Sequence, residues 1–179
     1  PLLEFPMIRR AVEHVENVRP TGTLVRYYLS TNGMLLTERI ASFLDKHRFH
    51  VQLSMDGDAT AQEMRAPGTF RALDRRLDRL RERHPDFFRE RFRIAVTVTP
   101  ASLSLLARSI DYLLAKGVRT LTIMPSLVSD ADWRPDRIDE LDAQFAKILK
   151  SGRRYMRKTG TMPVTKKLSI AFLGATLLT

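Results

Sequence analysis

The chain has 179 residues, 44% of them hydrophobic, with 30 Lys and Arg against 20 Asp and Glu for a net charge of +10; this is the profile of one globular domain, 1–179, rather than of a disordered segment. There is no cysteine, so the chain's own residues supply no disulfide, thiolate-bound zinc, thiol catalysis or thiolate-held iron–sulfur cluster. The positive charge favours acidic partners such as nucleic acid, phosphorylated ligands or anionic membrane without choosing among them, because charge governs encounter rather than fold.

The amino end, Pro1-Leu2-Leu3-Glu4, carries neither an initiating Met nor a signal-peptide pattern, so the polypeptide is expected to begin inside a longer gene product and to be cytoplasmic. Residues 6 to 18 place Ile8, Ala11, Val12 and Val15 at helical spacing, which predicts an amphipathic helix with Pro6 in its first turn. His14 falls on this helix without a second ligand at metal-binding spacing and reads as a surface or partly packed histidine rather than a metal ligand. Thr23 to Ser30 is β-branched and aromatic, a strand that closes in the polar turn Ser30-Thr31-Asn32-Gly33. Thr37 then caps a helix with Leu36, Ile40, Phe43 and Leu44 on its apolar stripe.

His50 to Gly57 (His-Val-Gln-Leu-Ser-Met-Asp-Gly) alternates Val51, Leu53 and Met55 with Gln52, Ser54 and Asp56. That two-residue period is a strand ending in a polar turn, with Ser54 and Asp56 on one face. A polar loop is expected over Asp58 to Gly68, then a helix capped by Thr69 that buries Phe70, Leu73, Leu77 and Leu80. The other side of that helix interleaves Arg71, Arg75, Arg76, Arg79, Arg81 and Arg83 with Asp74, Asp78 and Glu82. It reads as a salt-bridge-laced solvent face, and the lack of interleaved aromatics argues against nucleic-acid binding.

His84-Pro85 closes the helix; Phe92 to Val98 is a third strand, and Ser102 to Lys116 a helix stopped by Gly117. Val118 to Met124 is a fourth strand, Ile138 to Leu149 marks a fifth helix, and Leu168 to Leu173 is expected to be a fifth strand. Leu168 to Thr179 is apolar but shorter than the roughly 20 residues a helix needs to cross a bilayer, so no membrane role is expected.

Strand and helix recur at the spacing of right-handed βαβ units, which predicts an α/β fold with a parallel sheet. Closed barrels of this kind use about 250 residues. The expectation is therefore a partial parallel (β/α) barrel, an arc of about five strands with outer helices, with an open doubly wound sheet as the alternative. Neither Gly-x-Gly-x-x-Gly nor a Gly-Lys-Ser/Thr loop occurs, which disfavours Rossmann and P-loop versions.

In a parallel sheet the polar strand ends at Ser30–Gly33, Ser54–Gly57, Thr97–Thr99 and Met124–Ser126 share one rim. Ser54 and Asp56 offer a hydroxyl and a carboxylate suited to vicinal hydroxyls of a ribose, and Arg65 a guanidinium suited to a carboxylate. Turn formation alone explains the same residues equally well, since Asp-Gly and Asn-Gly are common turn dipeptides.

The ordered series Thr31-Asn32-Gly33-Met34-Leu35-Leu36-Thr37, Leu53-Ser54-Met55-Asp56-Gly57, Arg65 with Gly68-Thr69-Phe70, and Val96-Thr97-Val98-Thr99-Pro100 resembles the middle of radical S-adenosylmethionine (SAM) enzymes. The nearest branch is the peptide- and protein-modifying one that includes the sulfatase-maturating enzymes. The resemblance spans roughly residues 1 to 130, and Pro1-Leu2-Leu3 resembles the tail of that family's Gly-Gly-Glu-Pro-Leu segment. It implies a partial β/α barrel in which a [4Fe-4S] cluster on a three-cysteine loop cleaves SAM to a 5′-deoxyadenosyl radical. By resemblance Ser54 and Asp56 contact the ribose and amino-acid portion of SAM, Arg65 pairs with its carboxylate, Ile123, Met124 and Pro125 flank adenine, and Asn32 sits on the same rim. The cysteine loop, the first strand and the Gly-Gly-Glu residues are absent. The implication is a fragment, inactive by itself, of an enzyme with a peptide or protein substrate; the alternative is a cluster-free barrel that binds a peptide or partner protein. A Cys-x3-Cys-x2-Cys run upstream of Pro1 would separate the two. An arc lacking its first strands would also expose a sheet edge, which implies self-association.

Overall fold

A computed structural model describes residues 1–126 and 132–163. Four strands, β1 (Tyr28–Thr31), β2 (His50–Ser54), β3 (Phe92–Val98) and β4 (Leu121–Pro125), form one parallel sheet in the order β1-β2-β3-β4. Among the described residues seven α-helices are interspersed: α1 (Phe5–Val18), α2 (Glu38–Lys46), α3 (Ala59–Arg65), α4 (Phe70–Arg83), α5 (Pro85–Glu90), α6 (Leu106–Ala115) and α7 (Pro135–Thr159). The sequential strand order, every neighbour joined through a helix, is the arc of a β/α barrel.

The alternation in the strands decides which face is covered. Leu29, Val51, Leu53, Met55, Phe92, Ile94, Val96, Val98, Leu121 and Ile123 are buried with the apolar stripes of the helices, Ile40 and Leu44 from α2, Leu73, Leu77 and Leu80 from α4, and Ile110 and Leu113 from α6. The opposite positions, Ser30, Gln52, Ser54, Arg93, Thr97 and Thr122, stay partly or fully accessible. In a β/α barrel that second face is the one turned away from the helices, toward the barrel interior.

Several local expectations are corrected. The first strand occupies Tyr28–Thr31 rather than 23 to 30, because its ladder with β2 begins at Tyr28 opposite His50. The 58–68 segment is not a loop throughout: Asp58 accepts from the Ala61 amide (3.1 Å) and nucleates α3. Thr69 does not cap α4 with its side chain; instead the Glu63 carboxylate takes the Phe70 amide (3.0 Å) and the Gly68 amide. Pro85 ends one helix and opens another, α5, where a missing N–H costs nothing. The helix expected over 102–116 begins as a 3-10 turn, Leu103–Leu105, before α6. Thr37 and Gly117 behave as expected, the first accepting the Ile40 amide on its hydroxyl oxygen (3.4 Å), the second at φ +86°. The Leu121 amide donates to the Pro163 carbonyl (2.8 Å), so the chain returns beside β4. The strand expected at Leu168–Leu173 lies outside the described residues.

The charged side of α4 is also arranged differently from the expectation. Its acids turn toward α6: Tyr112 donates to Asp74, and Lys116 reaches Asp74 (2.5 Å) and Asp78 (2.8 Å). Burial and the Asp74 carboxylate push the Tyr112 phenol up. Arg81 pairs with Asp78 (3.4 Å) and Arg83 with Glu38 (3.7 Å), while Arg75 and Arg79 enter no ion pair among the described residues. One ion pair, Arg81 with Asp78, runs along the helix as expected, while the contacts of Asp74 and Asp78 with Lys116 cross to the end of α6 and leave Arg75 and Arg79 outside them.

Three aspartates tie helices together and make stability fall in acid. Burial opposes the charge of each, but hydrogen bonds outweigh it: from Arg91 and His84 at Asp45, from Arg108 and the Ala61 amide at Asp58, and from Lys116 and Tyr112 at Asp74. Each carboxyl titrates below its ordinary value, so its stabilisation is complete above the unfolded pKa and is lost as pH falls through the folded one. Chemical denaturation at a series of pH values should show stability falling below about pH 4; a flat profile there would contradict these pairings. Among the described residues no helix is long and apolar enough to cross a membrane.

Candidate cofactor-binding site

The rim at the carboxyl ends of the strands is built around the turn after β2. Ser54 closes the strand, level with Ala95 of β3 and, through it, Thr122 of β4. Its side chain is half-buried on the open face, and its hydroxyl has no hydrogen-bond partner among the described residues. Met55 points into the core and Asp56 emerges beyond it. Gly57, at φ +120°, then turns the chain so tightly against α6 that an added Cβ would lie 2.2 Å from the Ser109 Cβ.

Asp56 is only 6% exposed, and its environment is unequal at the two oxygens. Oδ1 accepts both from Arg65 Nη1 (2.7 Å) and from the Thr97 amide (2.9 Å). Oδ2 has no partner among the described residues and is not sealed from solvent. Burial raises the carboxyl pKa above the ordinary value despite the opposing Thr97 amide and Arg65. The free oxygen is therefore a strong acceptor held in a partly dry setting, suited to a hydroxyl or ammonium donor.

A second layer fixes this turn. Gln62, 2% exposed, accepts the Asp56 amide on Oε1 (2.9 Å) and donates from Nε2 to the Thr69 hydroxyl (3.0 Å), which in turn donates to the Ala66 carbonyl (2.6 Å). One buried amide thus ties the strand end to both ends of the α3–α4 connection. Gln62→Ala should cost about 1–3 kcal/mol, since it orphans the Asp56 amide, with thermal melts as the readout. Gln62→Glu loses only the Nε2 donor and should be the milder change below neutral pH.

The seven residues singled out in the sequence fare differently. Asp56 and Arg65 come together as an ion pair (2.7 Å), while Ser54 ends β2 two residues before Asp56. Met124 pairs in register with Thr97, whose amide holds Asp56, and is 46% exposed on the same face; Pro125 follows, half-buried. Ile123 turns its side chain into the core, 2% exposed, so only its backbone borders the rim. Asn32, exposed just past β1, uses Oδ1 to accept the Met34 amide (3.2 Å), a turn-forming role. Sequence reasoning missed Gln62 and Ser109; a glutamine inside a short helix and a serine inside a longer one carry no local signal of partners on other elements.

The donor set does not suit an iron–sulfur cluster: the chain has no cysteine, and no cluster of three or more His, Asp or Glu able to hold a metal ion exists among the described residues. His14 is exposed on α1.

No family model and no curated protein matches the sequence. Solved structures do match in fold. "Native anSMEcpe with bound AdoMet" superposes with a TM-score of 0.74 at 16% identity over 91% of this chain and 46% of that one. The same enzyme "with bound AdoMet and Kp18Cys peptide" gives 0.72 at 18% identity over 90% and 46%. anSME is an anaerobic sulfatase-maturating, radical SAM enzyme, and this chain spans a little under half of its length. Over the four described strands, the chain shares the α/β partial-barrel fold of these solved structures.

Proposed function

We propose that this chain is the SAM-binding middle of a radical SAM enzyme that modifies a peptide or protein, and that the cluster-bearing segment belongs to a longer parent. The observation that carries the reading is the unshared Oδ2 of buried Asp56 beside the free Ser54 hydroxyl, at the strand ends of a fold whose solved examples hold AdoMet. In this reading Ser54 and Asp56 Oδ2 hydrogen-bond the ribose and amino-acid portion of SAM. Arg65, already anchored through Nη1, presents its remaining guanidinium donors to the SAM carboxylate. Met124 and Pro125, with the Ile123 backbone, form the flank against adenine.

SAM would supply the radical only when a cluster is held beside it, and this chain has no thiolate to hold one. What the chain's own residues do is bind and orient. The peptide-bound solved structures support a peptide partner. The lack of cysteine also favours a second reading, a cluster-free binding barrel for a peptide or partner protein.

Equilibrium dialysis of labelled SAM against the 179-residue chain tests the site. Weak saturable binding is expected, reduced at least about tenfold by Asp56→Ala, the scale of losing a charge-assisted hydrogen bond. After iron–sulfur reconstitution the chain should cleave no SAM. Tight binding with cleavage by the isolated chain would overturn the fragment reading, and binding indifferent to Asp56→Ala would remove the site.

A further inference from the structure

On the outer helix layer, α4 faces α2 and the loop leading into it across a groove of about 440 Å³ lined by Leu36, Thr37, Glu38 and Ala41 on one side and Ala72, Arg75, Arg76, Arg79 and Leu80 on the other. Its floor is apolar and its wall on the α4 side carries three arginines, Arg75 and Arg76 adjacent and Arg79 one helical turn on. Arg76 is fixed in place, donating to the Met34 carbonyl (2.8 Å), a bond that leaves its charge uncompensated. Arg75 and Arg79 enter no ion pair among the described residues. The nearby acids are committed elsewhere: Asp74 and Asp78 to Lys116 across the helix, and Glu38, the one carboxylate lining the groove, to His84 (3.0 Å) and Arg83 (3.7 Å).

We infer that this groove is a docking surface for an acidic segment of a partner protein, with carboxylates on Arg75, Arg76 and Arg79 and aliphatic stems on the floor of Leu36, Ala41, Ala72 and Leu80. The chemistry selects the occupant. Guanidinium forks match carboxylates, and arginine around an apolar floor is the composition of a protein interface rather than of a nucleotide site. The lining has no aromatic ring to stack a base. The contacts of Asp74 and Asp78 with Lys116 supply the complementarity: acids drawn to the end of α6 leave the arginine wall of the groove positive.

Fluorescence anisotropy with labelled decaglutamate, the full chain and salt near the physiological level of about 0.15 M tests the inference. Saturable binding is expected, weakened at least about tenfold by Arg75→Gln with Arg79→Gln, as for two lost charge-assisted contacts. An equal charge change on α7, Arg153→Gln with Arg157→Gln, should leave it within about twofold, as for exposed charges away from the contact. In the unsubstituted chain decaglutamate should also shield Arg75 and Arg79 from phenylglyoxal, a reading that needs no variant. Equal losses in both double variants, unshielded arginines, or no saturable binding would overturn the inference. So would tighter binding of an oligothymidine that depends on Arg75 and Arg79, which would make phosphate the ligand. Loss of SAM binding at the rim would leave these readouts untouched.

Discussion

Gly57→Ala should destabilise the chain by about 3–5 kcal/mol, the sum of backbone strain and overpacking in a rigid site. The new Cβ would sit 2.2 Å from the Cβ and 2.7 Å from the Cα of Ser109, at a φ of +120° that L side chains rarely adopt. Side-chain movement cannot relieve it, because one of the clashing atoms is backbone of α6. Ser109→Gly should therefore rescue Gly57→Ala only in part, whereas Ser109→Ala alone, which removes a buried hydroxyl without a hydrogen-bond partner, should be neutral or stabilising. Denaturant titration of the two single variants and the double variant measures this. A Gly57→Ala cost below about 1 kcal/mol would show that α6 does not press on the turn that carries Asp56, and full rescue would show that only the Ser109 side chain, not the α6 backbone, does.

The second large effect is expected at Phe87, in the short helix α5. Phe87→Ala should cost about 3–5 kcal/mol, the range for emptying a large aromatic site in a core. The ring is fully buried, edge-on to Phe92 of β3 (6.2 Å between centroids), and covered by the Arg91 guanidinium (5.2 Å). Arg91 in turn reaches Asp45 of α2 (2.6 Å), which also takes His84 (2.9 Å). The substitution thus removes packing beneath the ion-pair cluster that joins α2, α4 and β3. A melting temperature unchanged by Phe87→Ala would mean that α5 is a surface turn and not part of the core.

These two sites differ in how legible they are. The clash at Gly57 is half visible: an Asp-Gly after an alternating strand announces a tight turn, while the serine it presses on lies 52 positions along the chain. Phe87 is nearly invisible, since His84-Pro85 reads as a stop and six residues are too few to show a helical period. The stripes of α2, α4 and α6 were legible because each repeats its apolar residues over two turns or more. The start of β1 was not, because β-branched residues before Tyr28 have strand propensity but no partner strand to pair with.

The sequence by itself determined the alternation of the four strands with the longer helices, though not α3 or α5, the buried face of the alternating strands, the shared rim of polar strand ends and, through the lack of cysteine, the limits on the chain's own redox chemistry. Periodicity and composition are local or additive properties, so they survive without coordinates. Only the tertiary structure decided that Asp56 divides its oxygens between a closed partner set and an open one, that Gln62 ties the strand end to the α3–α4 connection, and that Asp74 and Asp78 of α4 turn to Lys116. Those outcomes depend on which distant elements pack together: Thr97 lies 41 residues from Asp56 and Lys116 lies 38 from Asp78. A side chain's partner across such a separation is set by the packing of whole helices on the sheet, for which no local pattern exists.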